Sequence, residues 1–159
     1  MSLMDGSEDH VLVNHWLGAL SAKTGLQLHL NEQGVCAIGH TSGLDCAVEV
    51  PVGRCRVYLN IPLMPWAGSP AALAEHCLGE NFLGINTDGA SFAIDRQEGQ
   101  LVIWITRRLD TLDEASFGTL IVDFFETANQ WRQTLNVFCQ REASQANPHL
   151  EREQAFLRG

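Results

Sequence analysis

The sequence predicts an α+β fold: a helix-strands-helix-strands-helix sandwich on a twisted antiparallel sheet. Three observations predict it. Two stretches, 26–62 and 91–106, alternate apolar and polar residues with short connections, which makes neighbouring strands antiparallel. Apolar residues at helical spacing open and close the chain. A short alanine-rich helix separates the two strand groups. No repeat or linker divides the 159 residues, which is one domain's worth and enough to bury a real core.

Residues 7–24 read as the first helix. Ser7 or Asp9 can accept hydrogen bonds from first-turn amides, and Gly25 ends the pattern. Val13, Trp16, Leu17 and Leu20 form its apolar stripe, which Val11 and Leu12 widen. The excess is either extra core or a face kept for a partner. Leu26, Leu28 and Leu30 alternate with Gln27, His29 and Asn31, the period of a half-buried strand. After a turn at 31–34, Val35 to Ile38 returns. Leu44, Cys46, Val48 and Val50 make the next strand, and Val57, Leu59 and Ile61 the one after, closing at Pro62.

Ser69-Pro70 is a helix start, with serine as cap and proline where its missing N–H costs nothing. The helix runs through Leu73, Cys77 and Leu78 to about Leu83. Phe92 and Ile94 form a strand, 97–99 turns, and 101–106 returns with apolar residues on both faces. Leu101, Ile103 and Ile105 lie on one face, Val102 and Trp104 on the other. A strand apolar on both sides is covered on both sides, so a second subunit is a candidate cover. Thr111 and Glu114 have capping-box spacing before Phe117, Leu120, Ile121, Phe124, Ala128, Trp131, Leu135 and Phe138, a helix of about seven turns. One domain over 1–140 is expected, with 141–159 a polar stretch broken at Asn147-Pro148, either a mobile tail or a short loose helix.

Charge and motifs exclude several functions. Ten basic and nineteen acidic residues give a net charge of -9, with Lys23 the single lysine. Such a surface repels phosphate backbones and anionic lipid, so neither nucleic acid nor membrane is an expected partner. A partner with basic segments fits better. No apolar run approaches the roughly 20 residues that span a bilayer. Five scattered cysteines without a C-x-x-C pair read as free thiols in a reducing cytoplasm. Six histidines show no H-E-x-x-H or Cys/His spacing, so no metal or cofactor is expected. No G-x-S-x-G elbow or phosphate-cradling glycine loop occurs, and Asp110, Asp113 and Glu114 suit a helix's first turn. No catalytic residue is nominated; a rival small enzyme would use a pocket around His40 or His76. Aromatic surplus points instead to protein partners, with Trp66 either capping the core edge or facing one.

The most informative stretch is Glu80-Asn81-Phe82-Leu83-Gly84, then a strand from Gly89 to Asp95, a second from Leu101 to Ile105, and Leu109-Asp110 before a long helix carrying Trp131. With the leucine-alternating segment after Gly25 and the Gly34-Val35-Cys36 return, it resembles the class I type III secretion chaperones of the Tir chaperone family over residues 8–138. The resemblance implies a homodimer that catalyses nothing. It would bind the N-terminal chaperone-binding segment of a secreted effector in extended form, keep it soluble and secretion-competent, and deliver it to the secretion ATPase. By the same resemblance the dimer interface falls on Leu73, Cys77, Glu80 and Trp104. The effector grooves fall on Val13, Leu17, Leu28, Leu30, Ile38 and Leu44, with strand addition at a sheet edge. The alternative is a regulatory or interaction module of the same fold that acts on no secreted effector.

Overall fold

A computed structural model describes residues 5–146. Helix α1 (Asp5–Thr24) leads into strands β1 (Val35–Gly39), β2 (Asp45–Glu49) and β3 (Arg56–Pro65). Helix α2 (Ala71–Glu80) and a 3-10 turn at Phe82–Gly84 precede β4 (Ser91–Asp95) and β5 (Gln100–Arg108). A second 3-10 turn, Leu109–Thr111, enters helix α3 (Glu114–Ala146). The sheet is antiparallel in the order β1-β2-β3-β5-β4. The chain therefore leaves β3 through α2, returns at the outer edge as β4, and folds back as β5 between β4 and β3.

Alternation sorts the strands into two faces. Cys36, Ile38, Cys46, Val48, Val57, Leu59, Ile61, Leu63, Phe92, Leu101, Ile103 and Ile105 are buried on the inner face. Val13, Trp16 and Leu17 of α1 and Phe117, Ile121, Phe124, Ala128 and Leu135 of α3 belong to the same core. The rings of Trp16 and Phe117 lie 5.3 Å apart and tie the two helices together. Each large side chain removed from water in this way stabilises the fold by about 1.5–3 kcal/mol. The thiols behave as small core hydrophobes: burial pushes Cys46 up to about 12 and Cys77 up to about 11.

Local chemistry fixes the connections. Gly25 closes α1 at φ +75°, its N–H donating to the Ser21 carbonyl at 2.9 Å. Gly34, also at φ +75°, admits no side chain, because a Cβ there would meet His10 Nε2 and the Val50 carbonyl at 2.7 Å. His10 Nε2 lies 2.8 Å from that carbonyl, pinning α1 to the end of β2.

Four expectations are corrected. The leucine-alternating segment 26–30 is not a strand. Its backbone is claimed by α1: the Leu28 N–H donates to Ser21 Oγ at 3.0 Å and the Leu30 N–H to Asn14 Oδ1 at 2.8 Å. The sheet therefore has five strands instead of six. Strand β3 continues through Pro62 to Pro65. Its ladder to β2 ends at Asn60 and a register shift follows between Pro62 and Met64, so the missing proline N–H breaks no regular pairing. Helix α2 starts after Pro70 without a side-chain cap, in place of the expected serine cap. The reciprocal cap of α3 is formed by Asp113 and Ser116 and not by Thr111 and Glu114. There the Ser116 N–H donates to Asp113 Oδ1 and the Asp113 N–H to Ser116 Oγ, each at 2.8 Å. The Ser116 hydroxyl, which donates to Asp113 Oδ1 at 2.6 Å, and then the Ser116 N–H hold the Asp113 carboxyl below its usual range. Helix α3 runs on to Ala146, into the polar stretch where a mobile tail or a short loose helix is expected. The Asn147-Pro148 break and the rest of the expected tail lie outside the described residues.

Candidate functional site: apolar surfaces for a protein partner

No group of three or more His, Cys, Asp or Glu side chains with metal-site geometry occurs among the described residues. Both histidines of the enzyme reading are engaged in packing. His40 stacks on Phe125 with ring centroids 4.8 Å apart, its Nδ1 2.8 Å from Ser42 Oγ. Arg132 Nη2 donates to the Ser42 carbonyl at 2.8 Å and holds that hairpin against α3. His76 stacks on Phe138 at 4.6 Å, joining α2 to α3. What the surface offers instead is apolar area.

The six groove candidates are brought together, but in the core. Val13 and Leu17 on α1 are 0% exposed, and Leu28, Leu30, Ile38 and Leu44 are buried as well. Their side chains hold α1 and the 26–30 segment onto the sheet. Among the described residues, the large apolar side chains of α1 that are exposed are their neighbours Val11, 67% exposed, and Leu12. Helical geometry explains the difference, since positions 13 and 17 share the core-facing stripe and 11 and 12 lie off it.

The four dimer candidates divide in two. Leu73 and Cys77 face the core beneath α2, while Glu80 and Trp104 are half-buried. Glu80 Oε2 accepts a hydrogen bond from Asn86 Nδ2 at 2.8 Å. Trp104 stands on the outer face of the sheet beside a trough of about 480 Å³ lined by Glu49, Tyr58, Asn60, Ala93 and Val102.

Residues not expected from the sequence complete this side of the molecule. Leu78, Phe82, Leu83 and Ile85 are each 70–76% exposed, a run of large apolar side chains held out at the corner after α2. The corner is held by hydrogen bonds. Asn81 bonds to the backbone of Phe92, Trp131 Nε1 donates to the Asn86 carbonyl at 3.2 Å, and the Gly89 N–H donates to the Gly84 carbonyl at 2.8 Å. Leu83 sits at φ +61°, a left-handed conformation that costs a leucine about 1–2 kcal/mol. The sequence pattern hides it: positions 78, 82 and 85 keep helical spacing and read as a continuation of α2, but the helix ends at Glu80. Beside the corner, Trp66, Ala74, Leu78, Phe92, Ile94 and Leu101 line an open apolar cavity of about 310 Å³.

The model of the Tir chaperone protein (CesT) family matches residues 15–132. The fold is similar to that in the crystal structure of the ExsC–ExsE complex, with a TM-score of 0.70 at 17% identity over 84% of this chain and 96% of that one. It is also similar to the HopA1–SchA chaperone–effector complex, with a TM-score of 0.63 at 16% identity over 79% and 97%. The ExoU–SpcU heterodimeric complex from the type III secretion system of Pseudomonas aeruginosa gives 0.57 at 18% over 77% and 93%. No curated protein matches the sequence. The matched region runs from α1 into α3 and takes in the whole sheet, and the chain belongs to the Tir chaperone protein (CesT) family.

Proposed function

We propose that this protein is a type III secretion chaperone of the bacterial cytoplasm. It binds the N-terminal segment of a secreted effector in extended form and holds it soluble and ready for export. Membership of the chaperone family carries the reading. The apolar surface left over by a well-filled core supports it, because contiguous exposed apolar side chains mark protein partners. A second copy of the chain covers Leu78, Phe82, Leu83 and Ile85 and the Trp104 face, giving a homodimer. The effector segment passes over α1 at Val11 and Leu12, with the buried candidates beneath as the floor that positions α1. Delivery to the secretion ATPase follows from the family reading and is assigned to no residue here.

Binding draws its free energy from effector side chains buried on these surfaces, offset by the cost of ordering a flexible segment. The net charge of -9 steers basic effector segments in, and the association rate falls as salt rises. Replacing Val11 and Leu12 together by Asp is expected to weaken binding of an effector N-terminal segment at least about tenfold. Tenfold corresponds to about 1.4 kcal/mol, less than burying one such side chain contributes. Titration calorimetry reads the affinity and circular dichroism the fold. Unchanged affinity in a folded double variant would remove α1 from the binding surface.

A further inference from the structure

Every open sheet has two edges, and each is a template for another strand. Here the two edges are treated differently. Along an antiparallel strand the backbone N–H and C=O of alternate residues face the neighbour, and those of the residues between face outward. On β4 the outward positions are Ala90 just before the strand, then Phe92 and Ile94. The Ala90 N–H donates to the Thr87 carbonyl at 3.1 Å, and the Ala90 carbonyl accepts from Thr87 Oγ1 at 2.5 Å. The Phe92 N–H donates to Asn81 Oδ1 at 2.6 Å, and the Phe92 carbonyl accepts from Asn81 Nδ2 at 3.1 Å. Two residues thus occupy four edge groups, each answering one backbone unit as a paired strand would. Ile94 alone is left, beside the turn at 96–99.

The β1 edge begins with the same device and then stops. The Val35 N–H donates to Asn31 Oδ1 at 3.0 Å, and its carbonyl accepts from the Asn31 N–H at 2.8 Å. Ala37 and Gly39 follow as outward positions. Among the described residues, the contact made to their edge groups is that of the Cys36 thiol, 3.8 Å from the Ala37 carbonyl. Ala37 and Gly39 can each exchange a pair of ladder bonds with an incoming antiparallel segment, whereas at β4 Ile94 is left to do so alone.

We propose that Asn81 and Thr87 close the β4 edge, so that the sheet accepts an added partner strand at β1 alone, on the backbone of Ala37 and Gly39. The role given to β1 rests on the reading that an extended effector segment is bound. The closure of β4 stands on its own geometry. It accounts for the backbone of the 81–89 corner, where Leu83 and Asp88 are held at φ +61° and +53°. That backbone carries the Asn81 amide and the Thr87 hydroxyl to the strand edge. Thr87 is the buried polar residue of the described core, and the Ala90 carbonyl is the partner that satisfies it. Asn81 and Thr87 are positioning residues: they settle where a strand is added without touching the segment.

Amide hydrogen exchange of the full chain, with and without an effector N-terminal segment, tests this. Without a segment, Ala90 and Phe92 are expected to be protected and Ala37 and Gly39 to exchange freely. In Asn81→Ala the Phe92 amide is expected to exchange about tenfold faster or more, and the variant to associate beyond the dimer or take up a second segment per protomer. Asn81→Asp keeps the acceptor for the Phe92 N–H and loses the donor to its carbonyl, and is expected to fall between the two. It also gives a readout should the alanine variant not fold. With the segment bound, protection is expected at Ala37 and Gly39. An unchanged Phe92 amide in both variants, or protection gained at Ile94 instead of β1, would overturn the proposal. A segment that binds and protects neither edge would end the β1 assignment, while Phe92 exchange would still decide the closure.

Discussion

Phe117→Ala is expected to lower folding stability by about 3–5 kcal/mol, the cost of emptying a buried aromatic site that cannot collapse. Phe117 is 0% exposed in the first turns of α3, its ring against Trp16 of α1. Truncation removes contacts from both helices at once, and the neighbours that could move inward are themselves held on the sheet. Urea unfolding should show a lower midpoint with an unchanged slope, since the surface exposed on unfolding stays the same. Val122→Ala on the exposed side of the same helix provides the comparison, with a change within about 0.5 kcal/mol. A loss below about 1 kcal/mol at Phe117 would mean that α1 and α3 do not share one core.

The second large effect is on assembly. Phe82→Asp combined with Ile85→Asp is expected to convert the proposed dimer to a folded monomer, weakening self-association about a thousandfold. Both side chains are about three-quarters exposed in the protomer, so their loss costs the fold little. Across an interface each contributes about 1.5–3 kcal/mol of burial, and each new carboxylate would have to be desolvated without a partner. Leu83 is the wrong residue for this test, because its left-handed backbone couples surface chemistry to local strain. Sedimentation velocity reads the mass and thermal unfolding the integrity of the protomer. A double variant that stays dimeric would move the interface away from the corner after α2.

Much of this molecule was legible in its sequence because period and burial agree. Val57, Leu59 and Ile61 alternate and are buried; Phe117, Ile121, Phe124, Ala128 and Leu135 keep helical spacing and are buried. Alternation at Leu26, Leu28 and Leu30 described burial correctly and pairing wrongly. An extended segment can bury alternate side chains while its N–H groups bond to Ser21 and Asn14 on a helix. The binding surfaces were harder to read for a related reason. A stripe of apolar residues on α1 says that one face is buried, and the core takes the centre of that stripe first. Val13 and Leu17 are therefore inside, and Val11 and Leu12 are left exposed at its margin. At the corner after α2, tertiary bonds from Asn81 and Trp131 decide which side chains point outward. Those bonds join residues 11 and 45 positions apart, beyond the reach of any local pattern.

The most direct test is the mass of the complex purified after co-expression with candidate effectors encoded beside this chain, by size exclusion with light scattering. Two copies of the chain with one effector N-terminal segment is the expected result, and it would identify the client. A monomer that carries none of them through purification would contradict both the dimer and the chaperone function.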